Sequence, residues 1–255
     1  MKIVVVLRLM PNLGDEPELD ANGTDIDRDE VGMVINELDD QALEEAVLLK
    51  ESTGATVTAV GLRTEGIEQV LRVAFARGAD QVVMVDAADV DPYDSRTAAS
   101  ALAQAIRGLA PDLVLTGVQT PYDVFGQTAP FLAASLGWPL VSVVNGVTLG
   151  ERTARVVQEH AAGRMTVFDV TLPAVLGIQA AASPPRYVSM SRLRQAMTAA
   201  PAESVKVEID TRGAGSTMVS LAPPAHDGGV TMLQGDADSL AEQIAALLRE
   251  RGVLT

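Results

Sequence analysis

Short valine-rich runs alternate with amphipathic segments along the first 136 residues, and this alternation limits the possible folds more than any other feature. The apolar runs are 2–9, 55–62, 80–86 and 112–117, and the helical segments are 36–52, 66–79, 95–106 and 126–136. Such runs are typical of strands buried on both faces, and parallel strands need helical crossovers between them. The sequence therefore predicts an α/β fold with an open, mostly parallel sheet and helices on both faces.

The pattern changes after Leu140. Four apolar runs follow with only short turns between them, at 140–149, 152–160, 164–170 and 174–180. No helix fits between these runs, so they are predicted either to extend the sheet or to form an antiparallel layer beside it. We expect antiparallel additions to the parallel sheet in either case.

The last part of the chain has little core-forming pattern. Residues 198–235 are rich in alanine, glycine, serine and proline, which predicts an extended C-terminal arm. A final amphipathic helix over 238–251 carries an apolar stripe. We therefore predict two parts, an α/β domain over 1–197 and an arm with a helix over 198–255. The tail packs either on the body of the chain or on another subunit.

The charge balance argues against two kinds of partner. Asp plus Glu is 34 and Lys plus Arg is 19, so the net charge is −15. Proteins that bind nucleic acid or an anionic membrane surface normally present basic residues, so neither partner is expected. No segment reaches about 18 uninterrupted apolar residues. The expectation is a cytoplasmic protein without direct membrane insertion.

The residue types needed for several kinds of active site are missing. The chain has no cysteine and two histidines, His160 and His226. This composition excludes disulfides, cysteine-ligated zinc or iron–sulfur clusters and a three-histidine metal site. Neither histidine lies in a nucleophile motif, and no acid–base pair stands out. The sequence favours a binding or carrier protein over an enzyme with its own catalysis.

The loop from Gly117 to Thr128 is the best candidate for a ligand site. It joins a predicted strand to a predicted helix at the carboxyl end of the sheet, where ligands of open α/β sheets bind. The loop has no lysine or arginine, but a helix N-terminus offers unpaired N–H groups that hold an anion. Its alternative interpretation is a plain strand-to-helix connection.

Three further residues have two interpretations each. Asn36 and Asp39 precede or begin the first long helix, so they are either helix caps or part of the same crevice as the loop. Asp40 is a further candidate for the cap. Arg8 ends the first strand and is either a surface charge or a functional cation.

Five blocks of the chain together resemble the β subunit of electron transfer flavoprotein. They occur in the family's order and are "NELDDQALEEAVLLKE", "RVAFARGADQVVMV", "PDLVLTGVQTPYDVFGQTAPFLAASLGWP", "LPAVLGIQAAASPPRYVSMSRLRQA" and "GGVTMLQGDADSLAEQIAALLRERGVL". Each block is modest alone, but the five cover most of the chain. The resemblance implies an adenine-nucleotide α-hydrolase-like fold and an electron carrier without independent catalysis.

The resemblance also implies partners and cofactors. The family's β subunit pairs with an α subunit that carries the redox FAD, and it usually binds a structural AMP itself. The heterodimer takes electrons from a primary dehydrogenase and passes them to an acceptor, often a quinone oxidoreductase. The tail would wrap the α subunit.

Carried over by position, the resemblance implies two sets of residues. The expected nucleotide site comprises Val6, Asn36, Glu37, Leu38, Asp39, Leu62, Gly117, Val118, Gln119, Thr120, Tyr122, Val124, Phe125, Gly126, Gln127 and Thr128. The phosphate would rest on the N–H groups of Gly126, Gln127 and Thr128. The expected dehydrogenase-recognition residues are Pro185, Arg186, Tyr187, Met190 and Leu193.

Departures from the family pattern leave the nucleotide open. Val118 and Arg8 both stand where lysine is common, Glu37 replaces a common proline, and the stretch 121–126 replaces an acid-rich one. AMP is the expected nucleotide, and a second FAD, as in the family's bifurcating branch, is the alternative. A homodimeric nucleotide-binding protein of the universal-stress type is the alternative from another class.

Overall fold

The structure is a computed structural model that describes most of the chain. The described residues are 1–12, 14, 18–27, 31–88, 90–91, 94–123, 125–198, 202–209, 219–222 and 229–254. The strands are β1 (Lys2–Val6), β2 (Leu9–Pro11), β3 (Met33–Ile35), β4 (Thr56–Leu62), β5 (Gln81–Ala87), β6 (Leu113–Gly117), β7 (Leu140–Leu149), β8 (Thr153–Glu159), β9 (Met165–Thr171), β10 (Ala174–Ile178) and β11 (Glu203–Val207). The helices are α1 (Glu37–Thr53), α2 (Ile67–Arg77), α3 (Ser95–Leu109), α4 (Thr128–Leu136), α5 (Met190–Thr198) and α6 (Ala237–Glu250).

A nine-stranded sheet in the order β11-β5-β4-β1-β6-β10-β7-β8-β9 forms the centre of the fold. The seven strands from β11 to β7 are parallel, and β8 and β9 continue the sheet in antiparallel pairing. The predicted α/β class with a mostly parallel sheet and antiparallel additions is confirmed. Of the two arrangements expected after Leu140, the structure has the extended sheet.

Helices cover both faces of the sheet because the central strands are apolar on both sides. Ile3, Val5 and Leu7 pack with residues of α1 and α2 in one core cluster. Val4 and Val6 pack with residues of α3 and α4 in a second cluster on the opposite face. This alternation explains why β1 reads as a continuous valine-rich run rather than as an alternating one.

The sheet changes from parallel to antiparallel pairing along β7. This strand is parallel to β10 on one side and antiparallel to β8 on the other, and both ladders shift register around Val144. Val143 adopts a φ of 61°, which is unusual for a β-branched residue. The sequence did not predict that β10, the last of the four runs, would lie between β6 and β7.

Three elements lie outside the sequence prediction, and they are β2, β3 and α5. β2 and β3 form an antiparallel pair with the register Leu9–Ile35 and Pro11–Met33. Helix α5 begins at Met190 and contains two of the recognition residues, Met190 and Leu193. None of the helices in the described ranges is long and apolar enough to cross a membrane.

The chain divides into two compact units, Met1–Val219 and Ser220–Thr255. The first unit includes β11, which pairs in parallel with β5 at the edge of the sheet. The second contains α6, whose first turn is capped by Asp236, and its apolar side chains Ile244 and Leu247 are exposed. The part of the chain predicted as an arm therefore contributes both a sheet strand and a helix, and the packing of its helix on a partner remains a prediction.

Candidate functional site

The carboxyl ends of β1 and β6 form the point where the chain reverses its direction across the sheet. After β1 the chain adds β4 and β5 on one side, and after β5 it crosses to add β6 on the other side. Helices α1 and α4 therefore lie on opposite faces of the sheet beyond these two strand ends. Open α/β sheets bind their ligands at such switch points. We call the space between the ends of β1, β4 and β6 and the starts of α1, α3 and α4 the crevice.

Arg8 and Asp39 form a closed ion pair at the base of the crevice. The Asp39 carboxylate accepts the Arg8 backbone N–H and side-chain Nε, both at 2.9 Å, and Nη2 at 2.8 Å. Nη2 also donates to the Gly117 carbonyl at 2.9 Å. Asp39 is fully buried, so this bidentate pair holds the first strand, the first long helix and the end of β6 together.

The interpretation of Asp39 as a helix cap is wrong, as is that of Asp40. Helix α1 begins at Glu37, its N-cap position is Asn36, and both aspartates lie within the first turn. The Asn36 side chain donates to the Gln119 carbonyl at 3.0 Å and so fastens the start of α1 to the loop after β6. Arg8, with a side chain only 13% exposed, is not a surface charge.

Gly117 is where the backbone of β6 approaches helix α1. Its N–H donates to Asp39 Oδ1 at 2.7 Å. A Cβ at this position would lie 2.5 Å from the Leu38 carbonyl carbon and 2.6 Å from the Asp39 backbone nitrogen. Only glycine permits this approach, because any side chain would collide with backbone atoms that cannot give way.

Asp123 occupies the start of helix α4. Its carboxylate accepts the backbone N–H groups of Gln127 and Thr128, each at 2.8 Å, and the Thr128 hydroxyl at 2.7 Å. The Gly126 N–H donates to the Asp123 backbone carbonyl at 2.9 Å. The three N–H groups that the sequence assigned to a phosphate thus all donate to Asp123 in this structure.

The Asp123 carboxyl is ionised and lies close to Arg8. Burial opposes its ionisation, but hydrogen bonds from Gln127, Thr128 and Ser95 outweigh burial and lower the pKa of Asp123 below its ordinary value. Asp123 Oδ2 lies 3.5 Å from Arg8 Nη1. Within the described part of the chain, this buried Nη1 has no hydrogen-bond partner. Arg8 is therefore incompletely paired where it faces the crevice.

The crevice consists of two cavities that share Thr120. The inner cavity has a volume of about 30 Å³, and its walls include Val6, Leu62 and Thr128 together with Arg8, Ser95 and Asp123. The outer groove has a volume of about 520 Å³, and its walls include Asn36, Glu37, Leu38 and Gln119. The groove falls in the usual range for small-molecule sites, whereas the inner cavity is far below it.

The structure brings most of the predicted nucleotide-site residues together, but not all of them. Eight line the two cavities, and Asp39 and Gly117 support them from below. Phe125 is 88% exposed. Gly126 and Gln127 form the backbone turn at the start of α4. Val124 lies outside the described residues.

Asp123 and Arg8 line the inner cavity but are not among the nucleotide-site residues expected from the sequence. Asp123 lies three residues before the predicted helix start at Gly126, and an acceptor side chain just before a helix is a candidate partner for the free N–H groups of its first turn. That signal was available in the sequence. The pairing of Arg8 with Asp39 was not, because 31 residues separate them along the chain.

A second region is fixed by the middle of helix α1. We call residues 183–193 the recognition segment. Glu44 accepts the Arg186 backbone N–H and Nε, each at 2.9 Å, and also pairs with Arg77. Immediately before the segment, Glu45 accepts the Ala182 N–H at 2.9 Å. Glu51 completes a pair with the outer face of the Arg186 guanidinium.

These contacts hold the backbone of the recognition segment and leave Tyr187 and Met190 in solvent. Tyr187 is 89% exposed and Met190 is 58% exposed, whereas Pro185, Arg186 and Leu193 are partly buried. Hydrogen bonds to Glu51 and Glu44 raise the pKa of Arg186. The arginine therefore stays charged and keeps the segment attached to α1.

Comparison with known proteins decides the family. A sequence model of the electron transfer flavoprotein domain matches residues 24–211. The chain is 31% identical to electron transfer flavoprotein subunit beta of Methylophilus methylotrophus over 98% of both chains. The chain belongs to the electron transfer flavoprotein β-subunit family. The β-subunit resemblance seen in the five sequence blocks is thereby confirmed.

Other members of the family are similarly related to this β subunit. The Bacillus subtilis protein of the same name is 30% identical over 85% of this chain and 86% of its own. The mitochondrial β subunit of Oryza sativa subsp. japonica is 29% identical over 96% of this chain and 97% of its own. Family membership gives the chain an electron-transport role and decides against the universal-stress-type alternative.

Proposed function

We propose that this chain pairs with an electron transfer flavoprotein α subunit and binds AMP in the crevice. In this heterodimer the α subunit holds the FAD that accepts and donates electrons, and the chain described here has no catalysis of its own. The observation that carries the proposal is the crevice itself: in a chain of this family, a groove of about 520 Å³ lies at the switch point beside a smaller cavity with apolar walls and a buried arginine whose Nη1 makes no hydrogen bond within the described ranges.

The residues of the crevice suit an adenine nucleotide. Val6 and Leu62 supply apolar walls for a base, and Asn36, Gln119 and Thr120 supply neutral hydrogen-bonding groups. Pockets that bind nucleotides combine these two features, because the ring buries apolar surface and the polar groups fix its orientation.

A charge suited to a phosphate is also available. Arg8 lines the inner cavity, and its buried Nη1 makes no hydrogen bond to any described residue, with Asp123 Oδ2 3.5 Å away. An anionic group placed there would satisfy it. The proposal therefore places the phosphate of AMP on the Arg8 side of the crevice.

The electron donor in this proposal is a primary dehydrogenase that docks on the recognition segment. Exposed Tyr187 and Met190 offer an aromatic and a flexible apolar contact, which are typical of protein interfaces. The buried pairs of Glu44 fix the backbone before docking, so less conformational entropy is lost on binding. Electrons then pass to an acceptor such as a quinone oxidoreductase.

Mass spectrometry of small molecules released by heat tests the nucleotide. The chain is purified alone and together with its α subunit. AMP is expected from the chain alone, and FAD only when the α subunit is present. FAD released from the chain alone would support the bifurcating alternative, in which this subunit holds its own flavin. Release of no nucleotide from either sample would refute the crevice as a nucleotide site.

A matched pair of variants ties the nucleotide to the crevice. Leu62→Trp places a larger side chain in the wall of the inner cavity and so fills part of it. Leu109→Trp does the same in a cavity at the opposite ends of the strands. We expect Leu62→Trp to lose its AMP and Leu109→Trp to keep it. Equal retention of AMP by two folded variants, checked by circular dichroism, would place the nucleotide elsewhere.

A further inference from the structure

The start of helix α4 carries an anion that belongs to the protein itself. Asp123 is 7% exposed, and its carboxylate accepts hydrogen bonds from two backbone N–H groups and the Thr128 hydroxyl. These are the contacts that a phosphate makes at a helix N-terminus. Oδ2 of the same carboxylate lies 3.5 Å from Nη1 of Arg8, which makes no hydrogen bond in the part of the chain that the structure describes.

A phosphate and the Asp123 carboxylate cannot share these donors. Each N–H group of Gln127 and Thr128 already points at a carboxylate oxygen 2.8 Å away. Two anions at hydrogen-bond distance from the same donors repel each other strongly in a site removed from water. The small volume of the inner cavity, about 30 Å³, agrees with a site closed by its own side chains.

We propose that Asp123 competes with the nucleotide phosphate for the donors at the start of α4 and for Arg8, and thereby sets the affinity of the crevice for AMP. The proposal rests on the proposed nucleotide function and adds the residue that limits it. When AMP binds, the Asp123 carboxylate leaves the N–H groups of α4. When AMP is absent, Asp123 caps the helix and keeps its N–H groups satisfied.

The chemistry of Asp123 explains why a neutral replacement favours the phosphate. Hydrogen bonds to an ionised acceptor are about twice as strong as those to a neutral one. Asparagine and serine still cap a helix, so α4 keeps its start, but both bind the N–H groups less tightly. Both also remove the charge that repels the phosphate.

Isothermal titration of AMP and adenosine into the full-length chain, freed of nucleotide, tests the proposal. We expect Asp123→Asn and Asp123→Ser to tighten AMP binding by about tenfold or more, which corresponds to about 1.4 kcal/mol. Adenosine has no phosphate, so its affinity should change by less than about twofold.

Asp236→Asn is the control for the loss of a helix-capping carboxylate. Asp236 is the N-cap residue of helix α6, its carboxylate accepts the Ser239 N–H at 2.9 Å, and it lines neither cavity of the crevice. The change removes the same charge and keeps the same kind of cap. AMP affinity of this variant should stay within about twofold of the unchanged chain.

Three other outcomes would overturn the proposal. Unchanged or weaker AMP binding in folded Asp123 variants would show that the phosphate does not compete with this carboxylate. Equal tightening of AMP and adenosine would indicate a change in cavity shape rather than charge. The proposed nucleotide function stands after either of these two outcomes. Binding of neither ligand to any of the proteins would overturn the nucleotide function as well.

Discussion

Helix α1 supplies carboxylates to both the crevice and the recognition segment, and the two regions use them differently. In the crevice, Asp39 of α1 binds Arg8, and Asp123 from the loop before α4 binds the start of that helix. At the recognition segment, Glu44 binds the backbone and guanidinium of Arg186 and leaves Tyr187 in solvent. In the crevice the carboxylates occupy the buried donors, whereas at the recognition segment they fix the backbone and leave side chains exposed.

The difference follows from what each region has to present. A small anion is recognised by buried donors, and buried donors need an internal partner until the ligand arrives. A protein partner is recognised by exposed apolar side chains on a fixed backbone. Carboxylates of α1 can serve both purposes because its first turn points to the sheet ends and its middle points to the segment after β10.

The largest expected effect comes from removing the carboxylate at the base of the crevice. Asp39→Ala leaves the Arg8 guanidinium and the Gly117 N–H buried without their main acceptor. We expect the free energy of unfolding to fall by about 3–5 kcal/mol in urea titrations. Glu68→Ala, which breaks the exposed pair with Arg72, is the control and should cost less than about 1 kcal/mol. Similar losses in the two variants would contradict the assignment of Asp39 as the main support.

The next effect separates the two sides of Arg186. Glu44→Ala removes the buried acceptor of its backbone N–H, which should cost about 1.5–3 kcal/mol and speed hydrogen exchange of the Arg186 amide. Glu51→Ala removes only the exposed partner and should leave that exchange rate nearly unchanged. If both variants exchange at the same rate, Glu44 does not hold the recognition segment.

A pair of glycine replacements compares the crevice with an open helix surface. Gly117→Ala places a methyl group against the backbone of α1 and should lower the free energy of unfolding by about 1–3 kcal/mol. Gly108→Ala has open space around its Cβ in helix α3, and it should raise stability by about 0.4–1 kcal/mol. Thermal unfolding of the two variants gives the comparison. Stabilisation by Gly117→Ala would mean that β6 and α1 are farther apart than described.

The smallest effects are opposite slopes of stability with pH. Asp123 has a lowered pKa, so its stabilising contribution is present above its ordinary value of 3.8 and is lost as pH falls through the lowered value. Burial raises the pKa of Glu45 above 4.5, outweighing its hydrogen bonds from Ala182 and Val147. Its contribution is therefore present below pH 4.5 and is lost as pH rises through the raised value.

Two variants separate these slopes. Asp123→Asn should flatten the acid side of the urea-midpoint curve, and Glu45→Gln should flatten the region above pH 4.5. A curve for Glu45→Gln that runs parallel to that of the unchanged chain would show that Glu45 titrates normally.

The sequence predicted the helices of the sheet well because their apolar positions repeat with helical spacing. Helix α2 was predicted over 66–79 and is observed as Ile67–Arg77, with Gly78 at its C-cap. Apolar residues at i, i+3, i+4 and i+7 predict one buried face for this helix, and Ile67, Leu71 and Ala74 are buried while Val70 is partly buried. By contrast, β2 and β3 were missed because three-residue strands have too little pattern to detect.

The site was predicted in part for the same reason. Residues next to strand ends and helix starts, such as Asn36 and Thr120, were identified because the topology of a parallel sheet brings such positions together. The role of Asp39 was not, because a carboxylate near a helix start looks the same in sequence whether it caps the helix or binds a distant arginine.

The sequence by itself determined the layered α/β architecture and the family, because both depend on local periodicity and on residues in a fixed order. The tertiary structure decided the place of β10 in the sheet, the pairing of Arg8 with Asp39 and the occupation of the α4 N-terminus by Asp123. Several carboxylates of an acidic chain are chemically able to pair with Arg8 or to bind the start of α4. Only packing of the helices on the sheet fixes which one comes within hydrogen-bond distance, since that distance depends on the whole fold.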